Sequence, residues 1–245
     1  MNAIAQDIRV TAPPKRLARV AGALYLLVAV LAGFSHEYAT AKVYLPGDAA
    51  TTGLRVVENA GLVRIGVVSN IFMGLAWLGL AMSLCLLLRH ASENLARAMV
   101  ILVAIGTGIV CLNEVFQFAA LLVATEQSYV AGLGAAASNA LVLLLFALHH
   151  YGALISVVFM GLWLVPLGYL AYKSGMFPKA LGVLLVVGGA CYVVGMLAVY
   201  LVPGFGEAVY AFITLVPTVA EVWMVGYLLA IGVRSSPAST RLRWR

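Results

Sequence analysis

Residues Ala135–Tyr172 read AAASNALVLLLFALHHYGALISVVFMGLWLVPLGYLAY, 38 residues with a single polar interruption, His149-His150-Tyr151-Gly152. As one helix this run would reach roughly 57 Å at 1.5 Å per residue, against a hydrocarbon core of about 30 Å. The length therefore predicts a break at His149–Gly152. The second half, Gly152–Tyr172, reads as a membrane span. The first half is either an additional span or a helix lying along the interface, and that choice fixes the number of spans and the side on which the chain ends.

The rest of the chain is of the same character. Of 245 residues, 64% are hydrophobic and 10% charged, whereas soluble domains carry about 25% charged residues. No polar stretch is long enough to build an extramembrane domain with its own core. Further spans fall near Leu17–Ser35, Leu62–Leu88, Ala96–Val123, Ala180–Val202 and Val209–Val233. These runs are twice the length of a barrel strand and lack its alternation, so they are helices.

Charge decides between six spans and seven. With six spans and a cytoplasmic N-terminus, Arg9, Lys15, Arg16, Arg19, Arg89, Arg97, Lys173, Lys179, Arg234, Arg241, Arg243 and Arg245 all lie inside. Those are twelve of the 15 bases, leaving Lys42, Arg55 and Arg64 outside. A seventh span would move the last six across the membrane and spoil this bias. The expected fold is an all-α membrane protein, a six-transmembrane-helix bundle with extracytoplasmic interfacial helices, in a bacterial cytoplasmic (inner) membrane with both termini cytoplasmic. Residues 1–16 and 234–245 are tails and 17–233 a single domain. The net charge of +6 is topogenic, with the Arg241–Arg245 tail free to rest on anionic lipid headgroups. It does not point to nucleic acid, because there is no basic fold to present it. A cleavable signal peptide ending near Ala39-Thr40-Ala41 is the alternative reading of the first span.

Outside the spans, Pro46-Gly47-Asp48 reads as a turn with Asp48 as N-cap. An amphipathic helix, Ala49–Asn59, should follow it, and Gln127–Leu148 is a second interfacial candidate on the same side.

Charged residues within spans are costly and each needs a reason. Glu114 lies on a row with Thr107 and Gln117, Asn113 beside it. Glu221 closes a row of Tyr210, Thr214 and Thr218, with Pro217 able to loosen the local helix. The first span places Tyr25, Ala29, Gly33 and Glu37 at steps of four, and the second Gly66, Asn70 and Gly74. These stripes point to a bundle interior. Arg64 opens the second span, where it is an interfacial anchor or a site residue; His36 reads as a headgroup-level residue. The candidate ligand-binding residues are Glu37, Arg64, Glu114, Gln117, His149 and Glu221, and His149, Glu114 and Glu221 are the catalytic candidates. They are expected to converge in the outer half of the bundle, His149 rather than His150 pointing inward and Glu221 forming the floor.

No metal site is implied. Adjacent histidines on a helix diverge by about 100°, and there is no HExxH or Cys/His cluster. The cysteines Cys85, Cys111 and Cys191 are scattered in apolar runs. Neither a nucleotide loop nor a G-x-S-x-G serine motif is present, so no cofactor is implied. The glycines Gly161 and Gly168, with Gly182, Gly188, Gly189 and Gly195, read as tight helix packing.

Several segments together resemble one family: RVAGALYLL (Arg19–Leu27), LPGDAATT (Leu45–Thr52), LHHYG (Leu148–Gly152), VFMGLWLVPLGYLAYKSGMFPKALGVLLVVGG (Val158–Gly189) and PTVAEVW (Pro217–Trp223). The chain is similar, from about Arg19 to Val233, to the bacterial membrane proteins catalogued as domain of unknown function 4386. SGMFPKALG is the most specific run. The resemblance implies that His149 is the family histidine, that Glu221 and Glu37 occupy acidic positions of the last and first helices, and that the first span is retained. It implies no activity. Three readings stay open: a carrier or receptor for a small or lipid-like ligand in an outward-facing polar pocket, a membrane-embedded enzyme acting on a lipid or envelope precursor through His149 and a carboxylate, and a small partner subunit. Membrane lipids are the expected surroundings, and the residues leave the oligomeric state open.

Overall fold

The computed structural model describes residues 14–202 and 204–234; the basic residues Arg9 and Arg241–Arg245, and most of both expected tails, lie outside them. Six helices are long and apolar enough to cross a membrane: Pro14–Val43, Ala60–Leu88, Glu93–Thr125, Ala135–Ser174, Lys179–Leu201 and Gly206–Ala230. The protein is an all-α, multi-pass membrane bundle. Each span packs along the next one in the chain, and the sixth returns to the first. The result is a closed ring of alternating helices, with both described chain ends at one end of the bundle. There Gly232 lies against Lys15, and the Arg234 amide donates to the Met176 carbonyl at 3.2 Å.

Toward this terminal end the ring is filled by apolar side chains, among them Leu80, Leu84, Met99, Leu164, Leu167 and Leu181, all fully buried. The plug is topped by three aromatic rings that meet across the ring. Trp163 stands edge-on to Trp77 with centroids 5.9 Å apart and tilted to Tyr25 at 5.8 Å. Nearer the far end the ring opens into polar space.

The fourth and fifth spans approach closely at glycines. A Cβ on Gly161 would stand 2.6 Å from the Gly189 carbonyl oxygen, and one on Gly182 would stand 2.7 Å from that of Gly168. Two glycine pairs, two turns apart on antiparallel helices, let the backbones touch.

The expected break at His149–Gly152 is corrected. Ala135–Ser174 is one continuous helix of 40 residues, and Gln127–Leu148 does not form an interfacial helix of its own. Only Gln127–Leu133 is separate, turned off by Gly134 at φ 78°. The excess length is accommodated by extension past the bundle, because the third span, 33 residues long, runs beside the fourth and gives it a partner there. The polar residues that suggested a break find partners on neighbouring helices instead.

Beyond the far end, Ala49–Glu58 forms the expected short helix. The Thr51 amide donates to Asp48 Oδ1 (2.9 Å) and its hydroxyl to Oδ2 (2.7 Å), the N-cap predicted from Pro46-Gly47-Asp48. Those two bonds hold the Asp48 carboxyl below its usual range. The helix packs on the start of the fourth span. A second apolar cluster of Val43, Val56, Val63, Leu121, Val142 and Phe146 sits beneath it. Tyr44 stacks on Phe146 at 5.7 Å, and burial pushes its phenol up.

Two spans are irregular. The first changes from α to π winding over Gly33–Thr40, a rare form in which the hydrogen bonds run to i+5. Here the Ser35 hydroxyl donates to the Gly66 carbonyl (3.1 Å) and that of Ser69 to Leu31 (3.3 Å), tying the first span to the second. The sixth is interrupted at Thr214, between Gly206–Ile213 and Leu215–Ala230. Pro217 has no N–H for the carbonyl four residues back, and its ring packs against Gly188, where a Cβ would lie 2.9 Å from Pro217 Cα.

Candidate functional site

The polar far half of the ring is built around Glu114, on the third span about 21 residues from the helix start, or roughly 32 Å along the axis. Its carboxylate is 2% exposed. Oε1 accepts from Asn70 Nδ2 on the second span and lies within hydrogen-bond distance of His149 Nε2 on the fourth, at 3.1 Å. The His149 backbone carbonyl accepts from Asn113 Nδ2 at 2.8 Å, and its ring stacks against His36 of the π-helical segment, centroids 6.2 Å apart. Gln117, one turn further, donates to the Thr40 hydroxyl at 3.2 Å. Three spans and the π segment therefore meet at one buried polar node.

The node forms the wall of a cavity of about 300 Å³ lined by His36, Glu37, Asn70, Asn113, His150 and Tyr192 among others. Glu37 is exposed and stands where the cavity opens. His150 Nε2–H donates to the exposed carboxylate of Glu207 at 3.0 Å, linking the fourth span to the start of the sixth. His149 is 1% exposed and turned into the node. The two adjacent histidines thus serve different centres, as their angular divergence requires.

The walls carry unmet hydrogen-bonding capacity. Asn70 Oδ1, Asn113 Oδ1, Glu114 Oε2 and Gln117 Oε1 are buried with no donor among the described residues. Asn113 Oδ1 is pressed against Gly152, where a Cα–H contact gives weak compensation. A buried polar atom left unpaired costs about 1–3 kcal/mol, so the group is a destabilised arrangement as protein alone.

Glu221 is elsewhere. It lies on the sixth span about nine residues from the terminal end of that helix, so the Glu114 node stands roughly 18 Å further along the bundle axis. Its two oxygens accept from the Tyr25 hydroxyl (2.9 Å) and the Tyr192 hydroxyl (3.0 Å). It lines a second cavity of about 320 Å³. Ala32, Met160 and Tyr192 border both cavities, so the centres adjoin through the Tyr192 ring and do not share one floor. Arg64 is not among the lining residues. It is exposed and its guanidinium lies over the Phe118 ring, 5.9 Å from the centroid, on the outside of the bundle.

Of the six residues singled out for ligand binding, the structure gathers Glu114, Gln117 and His149, puts Glu37 at the opening, gives Glu221 a centre of its own and leaves Arg64 apart. Sequence reasoning passed over His36, Asn70 and Tyr192 as site residues. Asn70 carried a signal, a lone amide between Gly66 and Gly74. Tyr192 carried none, because the acid that it binds belongs to another helix. Among the described residues no three of His, Cys, Asp or Glu gather in a geometry that could hold a metal.

A family model described as domain of unknown function (DUF4386) matches residues 20–232. No curated protein and no solved structure matches the chain.

Proposed function

The chain belongs to the DUF4386 family, whose description assigns no activity, and from the cavity itself we propose that the protein binds or carries a small ligand within its ring. The observation that carries this reading is the cavity of about 300 Å³ whose lining residues Asn70, Asn113 and Trp77 hold buried amide oxygens and an indole N–H without partners among the described residues. The volume lies at the lower end of ligand pockets, about 300–1,000 Å³. A ligand supplying those partners would offset the cost of burying these groups.

Binding is favoured over acid–base catalysis. A catalytic base must reach the proton it takes, directly or through one water. His149 and Glu114 are 1% and 2% exposed and already bonded to each other behind the cavity wall. With the twelve-to-three division of bases, the terminal end of the bundle is assigned to the cytoplasm. The cavity then opens outward from a bacterial inner membrane.

The test is mass spectrometry of small molecules and lipids released from protein purified in detergent. Wild type should carry a stoichiometric compound that is lost from Ala153→Trp, which fills the cavity, while circular dichroism stays unchanged. Recovery of the same compounds from both proteins would defeat the reading.

A further inference from the structure

One carboxylate, Glu37, lines the cavity. Behind the lining, Glu207 is bonded to His150 and Glu114 to Asn70. No lysine or arginine is among the described residues that line it. Of the described bases toward the far end, Arg64 lies over Phe118 and Lys42 over Tyr38, and Arg55 sits half-buried on the short helix beyond the bundle. The Glu37 charge therefore meets no base in the lining, and a cation would balance it.

The lining holds unmet groups of both kinds, amide oxygens on Asn70 and Asn113 and the Trp77 indole N–H. Asn70 is 2% exposed and lines the cavity, and its amide proton donor is committed to Glu114. Oδ1 is left without a donor among the described residues. That oxygen calls for a donor or a positive charge, and the Trp77 N–H for an acceptor such as a hydroxyl on the same ligand. Trp77, Tyr192 and Tyr210 contribute aromatic surface and Met73 and Met160 apolar surface to the same walls. Aromatic faces beside carboxylates suit an alkylated ammonium group. A fully hydrated inorganic ion would gain little from such walls. At roughly 30 Å³ per water-sized volume, the space accepts on the order of ten non-hydrogen atoms.

We propose that the ligand of this cavity is a small organic cation, a primary to quaternary ammonium compound, held between the Glu37 carboxylate at the opening, the Asn70 amide oxygen on the wall, and the Trp77, Tyr192 and Tyr210 rings. The assignment rests on the binding reading and narrows it to a chemical class.

Isothermal titration calorimetry on the full chain in maltoside micelles tests it, at constant ionic strength. Methylammonium, tetramethylammonium and choline are the cationic probes. The neutral isostere 3,3-dimethylbutan-1-ol, the anion 3,3-dimethylbutanoate and sodium chloride are the comparisons. At least one cation should bind saturably and at least tenfold more tightly than the neutral isostere. Glu37→Gln, an exposed substitution that leaves the node intact, should weaken that cation at least threefold and leave the neutral compound unchanged. Equal or tighter binding of the alcohol or the carboxylate would overturn the cation class while leaving a ligand-binding cavity. Saturable binding of sodium alone would overturn it in favour of an inorganic ion. No binding by any of the three cations overturns it too, and the released-ligand measurement on Ala153→Trp then decides separately whether the cavity binds anything.

Discussion

Glu114 takes two hydrogen bonds on one oxygen, from Asn70 and His149, and so ties the second and fourth spans to the third. Glu114→Gln keeps an amide oxygen in the same place, so both donors retain a partner and the ring should stay assembled. Glu114→Leu leaves two buried N–H groups unpaired at about 1–3 kcal/mol each. Its melting temperature in detergent should fall well below that of Glu114→Gln, and equal melting of the two would mean that the node contributes nothing to stability. Gly152 belongs to the same argument. A Cβ there would displace the Asn113 side chain and break its bond to the His149 carbonyl. Gly152→Ala should therefore disturb His149 without touching it, visible as a shifted His149 ring signal by NMR.

At the scale of the element, hydropathy located all six spans because a run of about twenty apolar residues has one physical outcome in a membrane. The facing of side chains was legible where the helix is regular. Thr107, Asn113, Glu114 and Gln117 all point inward, as their spacing requires. It failed in the first span, where Tyr25, Ala29, Gly33 and Glu37 were counted at steps of four. From Gly33 the winding is π, the count drifts, and His36 comes to stack on His149 while Glu37 moves to the exposed rim. The break expected at His149 failed for a different reason, since length alone ignores a neighbouring helix able to accompany the excess. The glycine spacing was readable as close packing, and it carries a prediction. Gly168→Val would drive its side chain into the Gly182 carbonyl, a backbone atom that cannot swing aside. It should destabilise the protein by about 1–3 kcal/mol or more, whereas Gly108→Val, at a glycine with open space around it, should melt close to wild type. The N-cap gives a pH dependence with a definite sign. Thr51 lowers the Asp48 pKa in the folded chain. The stabilising contribution is therefore complete above the unfolded value of about 3.9 and is lost as pH falls through the lower folded value. Amide exchange at Thr51 should accelerate across that acidic window in wild type, and Asp48→Ala should show the fast rate at all pH values.

For the whole molecule, the even number of spans puts both described ends on one side, and the proposed orientation, that this side is the cytoplasmic one, is what the charge division predicts. A reporter active only in the cytoplasm should give signal when fused after Arg245 and none when inserted at Gly132. Signal at Gly132 would invert the protein and turn the cavity inward.

The closed ring has one more consequence. Every span rests on its neighbours in the chain, and the one long-range seam, between the first span and the sixth, is closed by Gly22 against Leu228 and by the bond from Tyr25 to Glu221. In the packed state no helix is structurally first or last. Opening the chain in the short turn between Leu88 and Glu93 and bridging the old ends, which already meet where Gly232 lies beside Lys15, would produce a permuted protein with the same six contacts in a new order. The seam would then be an ordinary hairpin, and the order in which a translocon delivers the helices would change while the destination did not.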